Sequence, residues 1–182
     1  MIDTLADGPP LFTRRMGDRV SQLLAAGKTA IEAVLAADEE LVRELQEDAG
    51  ARKRYREMWD ASGVTCVSHT QGGLGVPPFS FRSAFEGIAR TTRVIDVCRD
   101  WLVKVTRADD IRQAHEQGKH GVILNLQHTT HFNLDLRKLD VFYGLGVRII
   151  QLTYNQRNFV GDGCTERTDS GLSEFGGRLV RE

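Results

Sequence analysis

The chain has 182 residues and a net charge of −1, with 41% hydrophobic and 27% charged residues. That balance is that of a folded globular domain, and it excludes a fibrous or disordered chain and any general electrostatic affinity for nucleic acid or acidic membranes. The three cysteines, Cys66, Cys98 and Cys164, form no CxxC pair, which argues against a disulfide framework or a zinc knuckle and for buried thiols.

Short β-type runs alternate with helical ones along the chain. The start, "MIDTLADGPPLFTRR", lacks the basic-then-apolar order of a signal peptide, and no apolar run approaches a membrane span. A cytoplasmic protein is expected. Ile2–Leu5 is a first strand, broken by Gly8-Pro9-Pro10. Met16, Val20, Leu23 and Leu24 fall at helical spacing up to Gly27. The charged stretch 38–63 carries Leu41, Leu45, Met58 and Trp59 and reads as one long or broken helix with a solvated face. A second strand at 63–69 is followed by a glycine-rich loop. The helix after it, over 80–100, turns Phe81, Phe85, Ile88, Val94 and Ile95 inward. Strands over 101–106, 121–127 and 147–155 are separated by helices over 107–119 and 134–146. A polar loop then leads to a helix capped by Ser173, with Phe175, Leu179 and Val180 at helical spacing.

This alternation predicts an α/β fold with a parallel sheet covered by helices, either doubly wound or a (β/α)₈ barrel. No phosphate-binding glycine motif follows a strand, which weakens the nucleotide-binding alternative. The last helical pattern runs to Glu182 without a stop signal. A single partial barrel domain over 1–182, of about five parallel strands with its C-terminal part missing, is therefore expected. Such a chain is expected to associate with further copies of itself, because it leaves strand edges unpaired.

Functional groups of parallel α/β folds gather at the C-terminal ends of strands. Those positions hold Asp7, His69 and Gln71, Thr106 and Arg107, Gln127, His128 and His131, and Tyr154 and Asn155. Asp7 suits a metal or a turn cap equally. His69 reads as a hydrogen-bonded pocket residue. His128 and His131 lack the Glu of HExxH and read as loop anchors or as ligands. His115 and His120 are given no role. Asp162, Glu166 and Asp169 lack the spacing of a calcium loop. The residues alone do not reach a reaction.

The segments "GVILNLQ", "LDVFYGLGVRIIQLTYN", "GDGCTERTDSGLSEFG" and "GRLVRE" resemble the renal (membrane) dipeptidase family of zinc peptidases in order and spacing. "ASGVTCVSHT" fits the same family more weakly. The resemblance implies a (β/α)₈ barrel, two zinc ions, and hydrolysis of a dipeptide or related amide by metal-bound hydroxide. It implies small peptide substrates and neither nucleic acid nor membrane as partner. The family's opening "DGHND" matches "DTLAD". Asp3 holds the first position, Leu5 replaces the metal-binding His, and Asp7 keeps the metal-binding Asp. Gln127 stands where the bridging Glu of the metals belongs, and Tyr154 replaces a substrate-contacting His. An amide at 127 offers one neutral oxygen where a carboxylate offers two and a charge. The resemblance therefore implies a degraded metal site. A non-catalytic binding relative, and an unrelated α/β enzyme using His128 and His131, are the alternative readings.

Overall fold

In the computed structural model, residues 1–6, 14–72 and 81–182 are described. Five strands, β1 (Ile2–Ala6), β2 (Cys66–Thr70), β3 (Leu102–Val105), β4 (His120–Leu126) and β5 (Val147–Ile150), alternate with seven helices. The helices are α1 (Arg14–Ala25), α2 (Ala30–Glu47), α3 (Ala49–Ser62), α4 (Phe81–Val97), α5 (Ala108–Glu116), α6 (Arg137–Gly144) and α7 (Glu174–Arg181). The strand order is β1-β2-β4-β3, with β5 also paired to β4. β1 runs parallel to β2, and β4 parallel to β5. An α/β chain with parallel strands is thus what the alternation gives. The chain divides into two compact units, Met1–His69 with Ala89–Val122, and Thr70–Ile88 with Ile123–Glu182.

The first unit opens with a helical hairpin. Gly27, at φ 87°, ends α1, and Thr29 begins α2 with a reciprocal capping box to Glu32. Met16, Leu23, Ala33 and Ala37 fill the seam of the hairpin. Arg19 bridges Glu40 at 2.7 Å, and Arg15 pairs with Glu44 on its outside. The stretch from residue 38, expected as one long or broken helix, is broken in two. α2 starts at Ala30, and Asp48 serves as its C-cap and as N-cap of α3, its side chain accepting from Gly50 N at 2.7 Å. Leu24 is exposed, contrary to its place in the expected stripe.

α3 buries Ala51, Tyr55 and Trp59, spaced four apart on one face. Trp101 sits edge-on to both rings, 5.6 Å from Tyr55 and 6.3 Å from Trp59. His120 completes this nest, 5.1 Å from Trp59. Its Nδ1 lies 2.7 Å from the Val64 carbonyl and its Nε2 2.9 Å from Asp60 Oδ1. The residue given no role from sequence is therefore a buried clip between the start of β4 and the α3–β2 turn. A Cβ on Gly121 would lie 2.7 Å from Val105 and 3.1 Å from the Cys66 sulfur, so the strands need glycine there. Cys66 and Cys98 are buried, and burial pushes both thiols up to about 11. Cys164, expected buried, is exposed.

The second unit packs Phe132 and Phe142 at 5.4 Å, with Phe81 at 5.4 Å from Phe142 on the first turn of α4. Phe85, expected inward, is exposed, whereas Ile88 in the same unit and Val94 and Ile95 in the first are buried. β5 ends at Ile150, five residues before the apolar run suggested. Beyond it, residues 151–173 form a polar loop closed on itself. An antiparallel bridge joins Gly161 to Leu172, and Asn158 Oδ1 accepts from Val160 N at 2.7 Å. Asp162 holds both Arg157 and Ser170 N.

Candidate functional site: the ends of β4 and β5

Asp7 lies outside the described residues. β1, which leads to it, ends at Ala6 in register with His69 of β2. His69 itself is buried, as a pocket residue should be. Thr106 and Arg107 do local work. Both backbone N–H groups donate to Asp110 Oδ2, at 2.8 and 2.9 Å, and so begin α5.

The remaining candidates belong to the second unit. Leu126 of β4 is paired with Ile150 of β5, and Gln151 N donates to Leu126 O at 2.9 Å. The parallel register sets the C-terminal ends of the two strands side by side. Gln127 follows one end, half-buried, and Tyr154 follows the other by four residues, partly exposed. The Tyr154 carbonyl accepts from Cys164 N at 2.8 Å, so the closed loop fixes its backbone. Asn155 does the same through its carbonyl, which accepts from Thr165 N at 3.0 Å. A Cβ on Gly163 would lie 2.5 Å from that peptide, which explains a glycine in the turn.

Asn125 interrupts the apolar run of β4. Its Oδ1 accepts from Thr70 Oγ1 at 3.0 Å, and its carbonyl from Gln71 N at 2.8 Å. Sequence reasoning missed this residue, although one amide inside "VILNL" was the signal. It ties the end of β2 to the strand that delivers Gln127. Gln71, Asn125 and Thr129 are all buried, and Thr129 Oγ1 donates to Leu152 O at 2.7 Å. The described polar layer here is built of amides, hydroxyls and imidazoles.

His131 lies inside a single 3₁₀ turn, Thr130–Phe132, and His128 precedes its N-cap Thr129; their ring centres are 4.5 Å apart with planes tilted by 33°. The structure brings them together as the spacing allowed. His131 is fully buried, 6.4 Å from the Phe142 ring. A Cβ on Gly72 would come within 2.9 Å of its Cε1, so that glycine makes room for the ring. Burial pushes the His128 imidazole below its ordinary pKa.

A family model described as membrane dipeptidase, peptidase family M19, matches residues 33–182. The chain belongs to the membrane dipeptidase family. This removes the reading as an unrelated enzyme. Among curated relatives, dipeptidase tcpJ of Claviceps purpurea (strain 20.1) is 27% identical over 105 residues, which are 57% of this chain and 25% of that one. An amidohydrolase of Pseudomonas aeruginosa superposes with a TM-score of 0.62 at 26% identity, covering 99% of this chain and 41% of its own. A metallopeptidase of Rhodobacter sphaeroides, solved with a phosphinate mimic of the dipeptide L-Ala-D-Ala, gives a TM-score of 0.60 at 17% identity. That match covers 78% of this chain and 52% of the other and speaks to fold alone. The chain thus spans a quarter of the curated relative and about half or less of these structures.

Proposed function

We propose that this chain is part of a metal-dependent, dipeptidase-like hydrolase whose functional rim is the C-terminal end of a partial (β/α)₈ barrel. The family match over residues 33–182 carries the reading. Asp7 and Gln127 are the positions on the metal side and Tyr154 the position on the substrate side. A small peptide or related amide is the substrate class. Among the described residues no helix is long and apolar enough to cross a membrane, which fits a substrate met in water.

Zinc is the group the family implies. Among the described residues, no group of three or more His, Cys, Asp or Glu side chains stands together to hold it. Gln127 brings one neutral carbonyl oxygen, and position 5 is leucine. That donor set does not fit a carboxylate-bridged zinc pair, and we read the metal site as weakened. What Gln127 can do without a metal is hydrogen bonding. Its amide N–H donates and its oxygen accepts, which suits a peptide group. Tyr154 adds a phenolic donor for a carbonyl or carboxylate. A non-catalytic relative that binds peptides is the second reading, and the neutral amide at 127 favours it.

The deciding measurement is hydrolysis of a dipeptide panel, Ala-Ala stereoisomers included, beside calorimetric binding of the same peptides. Hydrolysis abolished by Asp7→Ala supports the hydrolase. Peptide binding without turnover, weakened by Tyr154→Phe, moves the assignment to the binding relative. Neither turnover nor binding overturns both.

A further inference from the structure

We propose that Thr70 is a specificity residue of the rim, a hydrogen-bond acceptor for the peptide N–H of a substrate, and that Asn125 is the positioning residue that sets its polarity. The proposal rests on the reading of this rim as a peptide site and adds a residue which that reading does not use.

Strand geometry puts the groups together. Thr70 is the last residue of β2, half-buried where the four residues before it are buried. Its Oγ1 lies 3.0 Å from Asn125 Oδ1, so the two side chains share a face of the β2–β4 pair. Gln127 stands two residues beyond Asn125, the interval at which a strand repeats its face. Gln71 N donates to Asn125 O at 2.8 Å, and Gln151 N donates to Leu126 O at 2.9 Å. The end of β4 is thus held from both sides, beside Thr70.

Hydrogen-bond chemistry fixes the polarity. An amide oxygen only accepts, so Thr70 is the donor in its bond to Asn125. A hydroxyl has one proton and two lone pairs. With the proton given to Asn125, Thr70 offers a substrate lone pairs alone. Asn125 is 4% exposed, in a strand where Val122, Leu124 and Leu126 are at most 1% exposed, and therefore acts through Thr70. An amide buried among such side chains costs free energy unless it is hydrogen-bonded. A peptide group presents one N–H and one carbonyl. Thr70 takes the N–H, and the Gln127 amide donates to the carbonyl. A site built to bond a substrate N–H rejects the analogue that lacks it, because its own polar group is then left unpaired.

The probes are Ala-Ala and its depsipeptide, in which an ester oxygen replaces the N–H. Affinity for the full chain is read by calorimetry, or as KM where turnover occurs. Wild type should bind the peptide at least about tenfold more tightly than the ester. Thr70→Val, close in shape but without the hydroxyl, should bring that ratio to about one, and Thr70→Ser should restore it. A hydroxyl that only supports the fold would weaken both ligands alike and leave the ratio unchanged. Equal binding of the two ligands by wild type, or an unchanged ratio in Thr70→Val, overturns the assignment and leaves the peptide-site reading standing. Binding of neither ligand by wild type removes that reading and this one with it. The wild-type ratio needs no variant, so the assignment is exposed to failure even where Thr70→Val does not fold.

Discussion

At the scale of single residues, the most exacting demands fall on buried polar groups. Asp38 is buried on α2 and meets Arg90 of α4, also in the first unit, at 3.1 Å. Burial pushes its carboxyl up to about 6, against the pull of Arg90 in the other direction. The folded state then holds a proton that the unfolded state releases near pH 4. The stabilising contribution of Asp38 is full below about pH 4 and is lost as pH rises through about 6. The loss is on the order of 3 kcal/mol. The stability difference between wild type and Asp38→Asn, from urea melts at pH 4 to 7, should follow that course. A pH-independent difference would exclude it. His120 offers a second case. Replacing it by Ala removes hydrogen bonds to Val64 O and Asp60 and leaves a void beside Trp59 and Trp101. A loss of about 2–4 kcal/mol in chemical denaturation is expected. Among the described residues the buried Tyr55 hydroxyl has no partner in hydrogen-bonding geometry, so Tyr55→Phe should be neutral or stabilising by up to about 1 kcal/mol.

At the scale of elements, the loop over 151–173 and helix α7 form one device. Ser173 caps α7 through Gly176 N at 2.9 Å, and its own N–H donates to Val160 O at 2.9 Å. A Cβ on Gly176 would press into the same Val160 carbonyl. Loop and helix thus meet backbone to backbone, a contact only glycine permits. Ser173→Ala should cost about 1 kcal/mol. Gly176→Ala should cost about 1–3 kcal/mol, and it should speed hydrogen exchange at the amides of Cys164 and Thr165. Those two amides hold the backbone carbonyls of Tyr154 and Asn155, so the same variant reports whether the loop positions the substrate-side tyrosine. Unchanged exchange at these amides would separate the helix from the loop.

At the scale of the molecule, exposed apolar side chains gather in the second unit. Val141, Tyr143, Ile149, Phe159 and Val180 are all exposed there. β5 has β4 as its one strand partner among the described residues. A row of unpaired backbone groups beside exposed apolar side chains is a template for association. Light scattering over a concentration series should therefore report species larger than the monomer, and Ile149→Lys should shift them toward it. A concentration-independent monomer would count against an open edge.

The sequence by itself determined the alternation of strand and helix, because period-2 and period-3.6 apolar patterns are local properties of the chain. It likewise determined the Ser173 cap, the membership of the family, and the neutral residues Leu5 and Gln127, since these are identities at fixed spacings. Tertiary structure alone decided which apolar residues are covered. Phe85 and Ile88 lie on one helix and both looked inward, yet only Ile88 is buried. It also decided that Asp48 splits one charged stretch into two helices, since a side chain that caps a new turn competes with one that continues the old. The burial of His120 and the pairing of His128 with His131 were settled the same way. An imidazole is polar enough for a surface and small enough for a core, so only the rings and carbonyls that the fold brings to it fix its role.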